Sequence, residues 1–114
     1  MTLQLTPEAL AAAYDYLRTT LPFRRWSLPP ASEVEFCVTQ HKGRFGDHTF
    51  FNGRHTIRVS TRKVGRTASL METVAHEAVH VYCAQRGIRS GHGAEFWKGA
   101  ALVCRHHGFD EKTF

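Results

Sequence analysis

His76, Glu77 and His80 form a His-Glu-x-x-His motif, and a further histidine, His92, follows after eleven intervening residues. On a helix, side chains four positions apart lie one above the other on a single face. His76 and His80 can therefore offer imidazole nitrogens to one metal ion. Glu77 sits beside the first of them, close enough to reach a metal-bound water. Two imidazoles and an adjacent carboxylate suit hydrolysis by a zinc-activated water, with the carboxylate as general base. Such an ion needs a third protein ligand and an open fourth position. His92 fills the third place best, because the gap before it accommodates a helix end, a reversing loop and the start of a second helix. Glu95 is an alternative third ligand, giving a two-His-one-Glu set, or a group that orients a ligand imidazole from behind. Cys83, three past His80, points near the ligand face but off it. A closed structural site would need a fourth Cys or His, and none is suitably spaced. The H-E-x-x-H-x-x-G-x-x-H pattern is absent, since Cys83 and Arg86 stand where its Gly and last His would be.

His76-Glu77-x-x-His80, eleven residues, then His92-Gly93-x-Glu95-Phe96 resembles the catalytic core of the SprT-like (Spartan-type) zinc metallopeptidases. The close match runs from Ser69 to Trp97, and a looser one extends back through the preceding strands. The resemblance implies a zincin-like α+β fold, a bound Zn2+ on His76, His80 and His92, and Glu77 as catalytic base. It implies a polypeptide substrate and, from the Spartan-type members, an association with DNA or DNA-bound proteins. Several family members carry a zinc ribbon after the catalytic core. This sequence has no C-x-x-C pair for one.

The elements that must position these residues are legible from local signals. Thr6 can cap a helix that opens with Pro7 and Glu8, and Leu10, Ala13, Tyr14, Leu17 and Leu21 recur at helical spacing until Pro22. Such a helix should lie across a sheet. Phe23 to Ser32, with Pro29 and Pro30, is a connector; its Arg24-Arg25-Trp26 either touches nucleic acid or packs beneath the loop. Val34, Phe36 and Val38 alternate with polar neighbours as a half-buried strand. Arg44 to Phe51 is a second strand, and Asn52-Gly53, a type I′ turn signal, returns the chain as a third, His55 to Ser60. The expectation is a small antiparallel sheet with His55 to Ser60 as the edge that pairs with an extended substrate. His41, His48 and His55 have no metal spacing to a partner and are expected to face solvent or to be hydrogen-bonded.

Thr61 to Arg66 is a basic loop, read as a solvated turn or a phosphate contact. Ser69 and Glu72 suggest a capping box, with Thr67 a competing cap. The metal helix then runs to about Arg86 and ends at Gly87, with Ile88 to Gly91 as the loop. Leu70, Val74, Ala78 and Val81 should bury against the sheet. A last helix runs from Ala94 to about His107, with Phe96, Ala100 and Val103 buried and Trp97, Ala101 and Cys104 widening that face. His106 and His107 are expected at the surface, and the last six residues frayed.

The 114 residues, 42% hydrophobic and 22% charged, fit one globular domain, residues 1–114. No run approaches the roughly 18–20 apolar residues of a membrane helix, and the N-terminus lacks the form of a signal peptide, so the expected location is cytoplasmic. Cys37, Cys83 and Cys104 are odd in number and widely spaced, as free thiols in a reducing compartment are. A net charge of +5 admits an acidic or nucleic-acid partner. The sequence thus points to a zinc metallopeptidase. The alternatives are a nucleic-acid-associated binding module with a structural zinc and a metal hydrolase acting on a non-peptide amide.

Overall fold

The computed structural model describes residues 4–89 and 91–114. The opening residues, Met1 to Leu3, and Ser90 of the expected 88–91 loop lie outside the described residues. The elements run α1 (Pro7–Arg18), β1 (Val34–Thr39), β2 (Gly46–Phe51), β3 (Arg54–Ser60), α2 (Thr67–Gln85) and α3 (Ala94–His107).

In α1, the Thr6 hydroxyl accepts the Ala9 N–H at 3.1 Å, and Leu10, Ala13, Tyr14 and Leu17 are buried. The helix stops before Leu21 and Pro22. The hydroxyls of Thr19 and Thr20 donate back to the Tyr16 and Leu17 carbonyls, each at 2.6 Å, and so compete with the helical ladder. The connector forms two short 3-10 turns, Phe23–Arg25 and Ala31–Glu33. Its Trp26 is stacked on Tyr82 of α2, with ring centroids 4.0 Å apart, so the packing reading of Arg24-Arg25-Trp26 is the correct one for the Trp.

The sheet is mixed, not antiparallel, with order β1-β3-β2. β2 and β3 form the expected hairpin. Asn52 and Gly53 have φ of 51° and 76°, both positive, as a type I′ turn requires. β1, however, pairs parallel to β3, with Phe36 opposite Ile57 and Val38 opposite Val59. β3 is the most buried strand, with Ile57 and Val59 fully inaccessible and His55 and Ser60 buried as well, and it takes the centre. It is therefore not the free edge expected of His55 to Ser60. β2 is the outer strand on one side.

α2 begins at Thr67 with Arg66 in the capping position and no side-chain cap. The anticipated Ser69–Glu72 box does not form, because both residues lie inside the helix. Its end is a Schellman turn: Gly87 has φ of 73°, its N–H bonds the Ala84 carbonyl at 3.0 Å, and the Ile88 N–H bonds that of Cys83 at 3.0 Å. Leu70, Val74, Ala78 and Val81 are buried as expected, and Ala75 and Val79 join them. The helix is thus wrapped on most sides by α1, the sheet and α3.

α3 ends at Gly108, whose φ of 80° supplies the left-handed cap. Phe96, Ala100, Val103 and Cys104 are buried, but Trp97 is 43% exposed. Gly99 takes the inward place, where a Cβ would stand 3.2 Å from both Trp26 and Val79. His107 is half-buried, with Nε2 2.9 Å from the Thr20 hydroxyl, which ties the end of α3 to the exit of α1. The three cysteines are free. No helix among the described residues is long and apolar enough to cross a membrane.

Candidate metal centre

His76, Glu77 and His80 all come from α2, and the Schellman turn at its end reverses the chain so that His92 returns over the first two. Nε2 of His92 lies 3.2 Å from Nε2 of His76 and 3.2 Å from Nε2 of His80. One ligand atom from each of the three lies within 4.8 Å of the others. Zn–N bonds of about 2.0–2.1 Å at tetrahedral angles put ligand nitrogens about 3.3 Å apart, so the spacing fits such an ion. Beneath the cluster, Phe96 forms a floor. Its ring lies 4.5 Å from His80, 4.6 Å from His92 and 5.0 Å from His76, centroid to centroid. Phe96 is itself only 2% exposed, so all three imidazoles rest on one fixed ring.

The histidines of α2 are held neutral. Burial, with the neighbouring His92 adding to it, pushes His76 down to about 4, opposed by a hydrogen bond to Phe114. Burial, with His76, His92 and His48, pushes His80 down to about 3. A neutral imidazole is the form that binds metal. Glu77 is 3% exposed. Burial, reinforced by Asp47 and opposed by Arg44, pushes its carboxyl up to about 8. Its Oε1 is buried and has no hydrogen-bond partner among the described residues. A buried carboxyl oxygen without a donor is costly. Together with three converging imidazoles, it fits a site built for a cation and its water.

Glu95 does not join the cluster. Its carboxylate lies 3.2 Å from Lys98 Nζ and 3.9 Å from Arg86, and no bond links it to a ligand imidazole among the described residues. Cys83 is buried and outside the cluster too. One histidine the motif did not announce does reach the site. The His48 ring on β2 lies parallel to that of His80, 6.1 Å away, and its Nε2 is 2.9 Å from Nδ1 of His55. Burial foremost, and His55 next, push His48 down to about 4. The hairpin turn was the missed signal. A two-residue turn at Asn52-Gly53 sets Phe50 opposite His55 and His48 opposite Ile57, so both histidines share the inward face as diagonal neighbours. His41 is also hydrogen-bonded, its Nδ1 accepting the Gly43 N–H at 2.9 Å.

Beside Glu77 opens a pocket of about 440 Å³, walled by Arg44, Phe45, Glu72, Thr73, His76 and Phe114. β2 passes close to the carboxylate. A Cβ on Gly46 would lie 3.4 Å from Glu77 Oε2, 3.0 Å from Thr73 and 2.7 Å from the Arg58 carbonyl, so only glycine allows this approach.

Fold and site together define a small α+β domain with a three-histidine metal-type centre and a buried carboxylate beside it. The chain belongs to the SprT-like family: the family model matches residues 14–113, nearly all of it and well beyond the motif. The family is one of metallopeptidase-type domains. Among curated proteins, none matches the chain.

Proposed function

We propose that this chain is a zinc-dependent metallopeptidase with His76, His80 and His92 as metal ligands and Glu77 as general base. The observation that carries the reading is the convergence of three Nε2 atoms next to a buried, partnerless carboxyl oxygen. Three nitrogen ligands with a fourth position open suit zinc in a catalytic role. Zinc bound there supplies a water with pKa near 7 and polarises the scissile carbonyl. The chain's own residues do the rest. Glu77 takes the water's proton and passes it to the leaving amine. Gly46 lets β2 pass close to that carboxylate, since a Cβ there would stand 3.4 Å from its Oε2. β2 is the edge strand next to the site, so an extended substrate pairs along it. A substrate side chain then enters the pocket between Phe45 and Phe114.

The reading extends to DNA-associated substrates. At one end of β2, Lys63 lies 5.8 Å over the exposed Phe45 ring, next to Arg44; at the other end exposed Phe51 stands opposite Arg54, while Phe50 is stacked on His55 at 4.3 Å. Basic groups interleaved with open rings hold single strands by charge and stacking. The free thiols suit a reducing, cytoplasmic setting. The direct test is cleavage of an unstructured polypeptide by zinc-loaded protein, with and without single-stranded DNA. Cleavage abolished by chelation and by Glu77→Gln, with zinc still bound in the variant, supports the reading. A Glu77→Gln protein that keeps full function would favour the binding module.

A further inference from the structure

Residues 109–114 carry two aromatic rings among acidic and basic neighbours, and their main chain is fixed. The Asp110 side chain accepts the Lys112 N–H at 2.9 Å. The Asp110 carbonyl accepts the Thr113 N–H at 3.1 Å and the Phe114 N–H at 3.0 Å. The rings of Phe109 and Phe114 stack, 5.8 Å apart, and both pack against the core. The expectation that these residues fray is therefore wrong. Asp110 closes a turn, and the two rings anchor it.

The turn ends on the metal centre. The Phe114 ring lies 5.2 Å from that of His76, and the Phe114 main-chain oxygen is 2.9 Å from His76 Nδ1. That oxygen can only accept, so Nδ1 must carry the proton. A neutral imidazole with Nδ1 protonated has its lone pair on Nε2, the atom that faces His92. In water the other tautomer of a histidine side chain is favoured, so this contact selects the minor form and also sets the ring angle.

We propose that the 109–114 segment is a positioning element of the metal centre, in which the Phe114 main-chain oxygen fixes the tautomer and orientation of His76. The role is that of an outer partner to a metal ligand, whose loss costs about 10–100-fold in metal affinity. It rests on the reading of His76 as a ligand. It makes α3 and the residues after it part of the site, although they contribute no ligand beyond the motif.

Two measurements test it. Long-range 15N–1H spectra of the metal-free 114-residue chain at pH 7 should show His76 with its proton on Nδ1; a proton on Nε2 overturns the proposal. Zinc affinity is then measured by chelator competition for the intact chain and for one lacking Thr113 and Phe114. The shortened chain should bind about 10–100-fold more weakly with an unchanged circular dichroism spectrum. Equal affinity overturns the positioning role alone. An intact chain that takes up no zinc overturns the metallopeptidase reading and this role with it. If the shortened chain does not fold, the tautomer decides.

Discussion

Replacing Glu77 with Gln should cut turnover by orders of magnitude and yet stabilise the metal-free protein at neutral pH. The unfolded carboxyl ionises near 4.5, and the folded one, raised chiefly by burial, near 8. Between these values the unfolded chain holds fewer protons than the folded one, so stability falls as pH rises. The contribution of the protonated acid is fully present below 4.5 and is lost as pH passes through 8. Each pH unit in that window is worth about 1.4 kcal/mol, so the penalty at pH 7 approaches about 3 kcal/mol. Gln cannot ionise and escapes it. It also buries an amide whose donors lack partners, at about 1–3 kcal/mol. The net gain at pH 7 to 8 should be about 1–2 kcal/mol, or roughly 4–8 °C in Tm at this size. At pH 4.5 the gain should vanish or reverse. The assay is thermal unfolding of both chains in chelator from pH 4.5 to 8, using the difference so that other titrations cancel. In the zinc-loaded protein the same change should lower kcat by about 10²–10⁴-fold. Parallel curves of Tm against pH for the two chains would refute the reasoning, because they would show Glu77 already ionised in the folded state.

His92→Ala should leave the metal-free fold intact, since His92 is exposed. It should weaken zinc binding by more than the ~10–100-fold cost of losing an outer partner, read by chelator competition. Gly46→Ala places a Cβ 2.7 Å from the Arg58 carbonyl and 3.4 Å from Glu77 Oε2. It should destabilise the protein by about 1–3 kcal/mol in urea unfolding and impair turnover beyond that loss. Phe96→Ala removes the ring under all three imidazoles. It should cost about 3–5 kcal/mol in urea unfolding and loosen zinc even where the chain stays folded, whereas unchanged affinity would mean that the ring only fills space.

The parts of the fold that could be read from the sequence are those set by neighbours along the chain. The α1 stripe, the Asn52-Gly53 turn, the Gly87 cap and the buried face of α2 each follow from a local signal. The three histidines were legible for the same reason, since two share a helix face and the third follows a turn of readable length. The parallel pairing of β1 with β3 had no such signal. It is decided by which strand buries most, and that is a property of the assembled core. The supposed capping box shows the opposite hazard. Ser69 and Glu72 match the pattern, but they line the pocket beside His76, and the helix starts at Thr67 without them.

The site's remaining parts come from far along the chain, and this explains why a motif is an incomplete description of it. His48 reaches His80 only because a hairpin register turns it inward. Phe96 reaches all three rings only because Gly99 lets α3 approach α2. Phe114 reaches His76 only because Gly108 and Asp110 fold the chain back. Each depends on a contact that exists once the core has formed, and each touches an imidazole that the motif already specifies. The motif thus names the atoms that can bind a metal, whereas the angle and protonation of those atoms are set by the sheet, by the last helix and by the turn after it. If that division is right, substitutions at Gly46, Gly99 or Gly108 should weaken the centre while leaving every ligand in place.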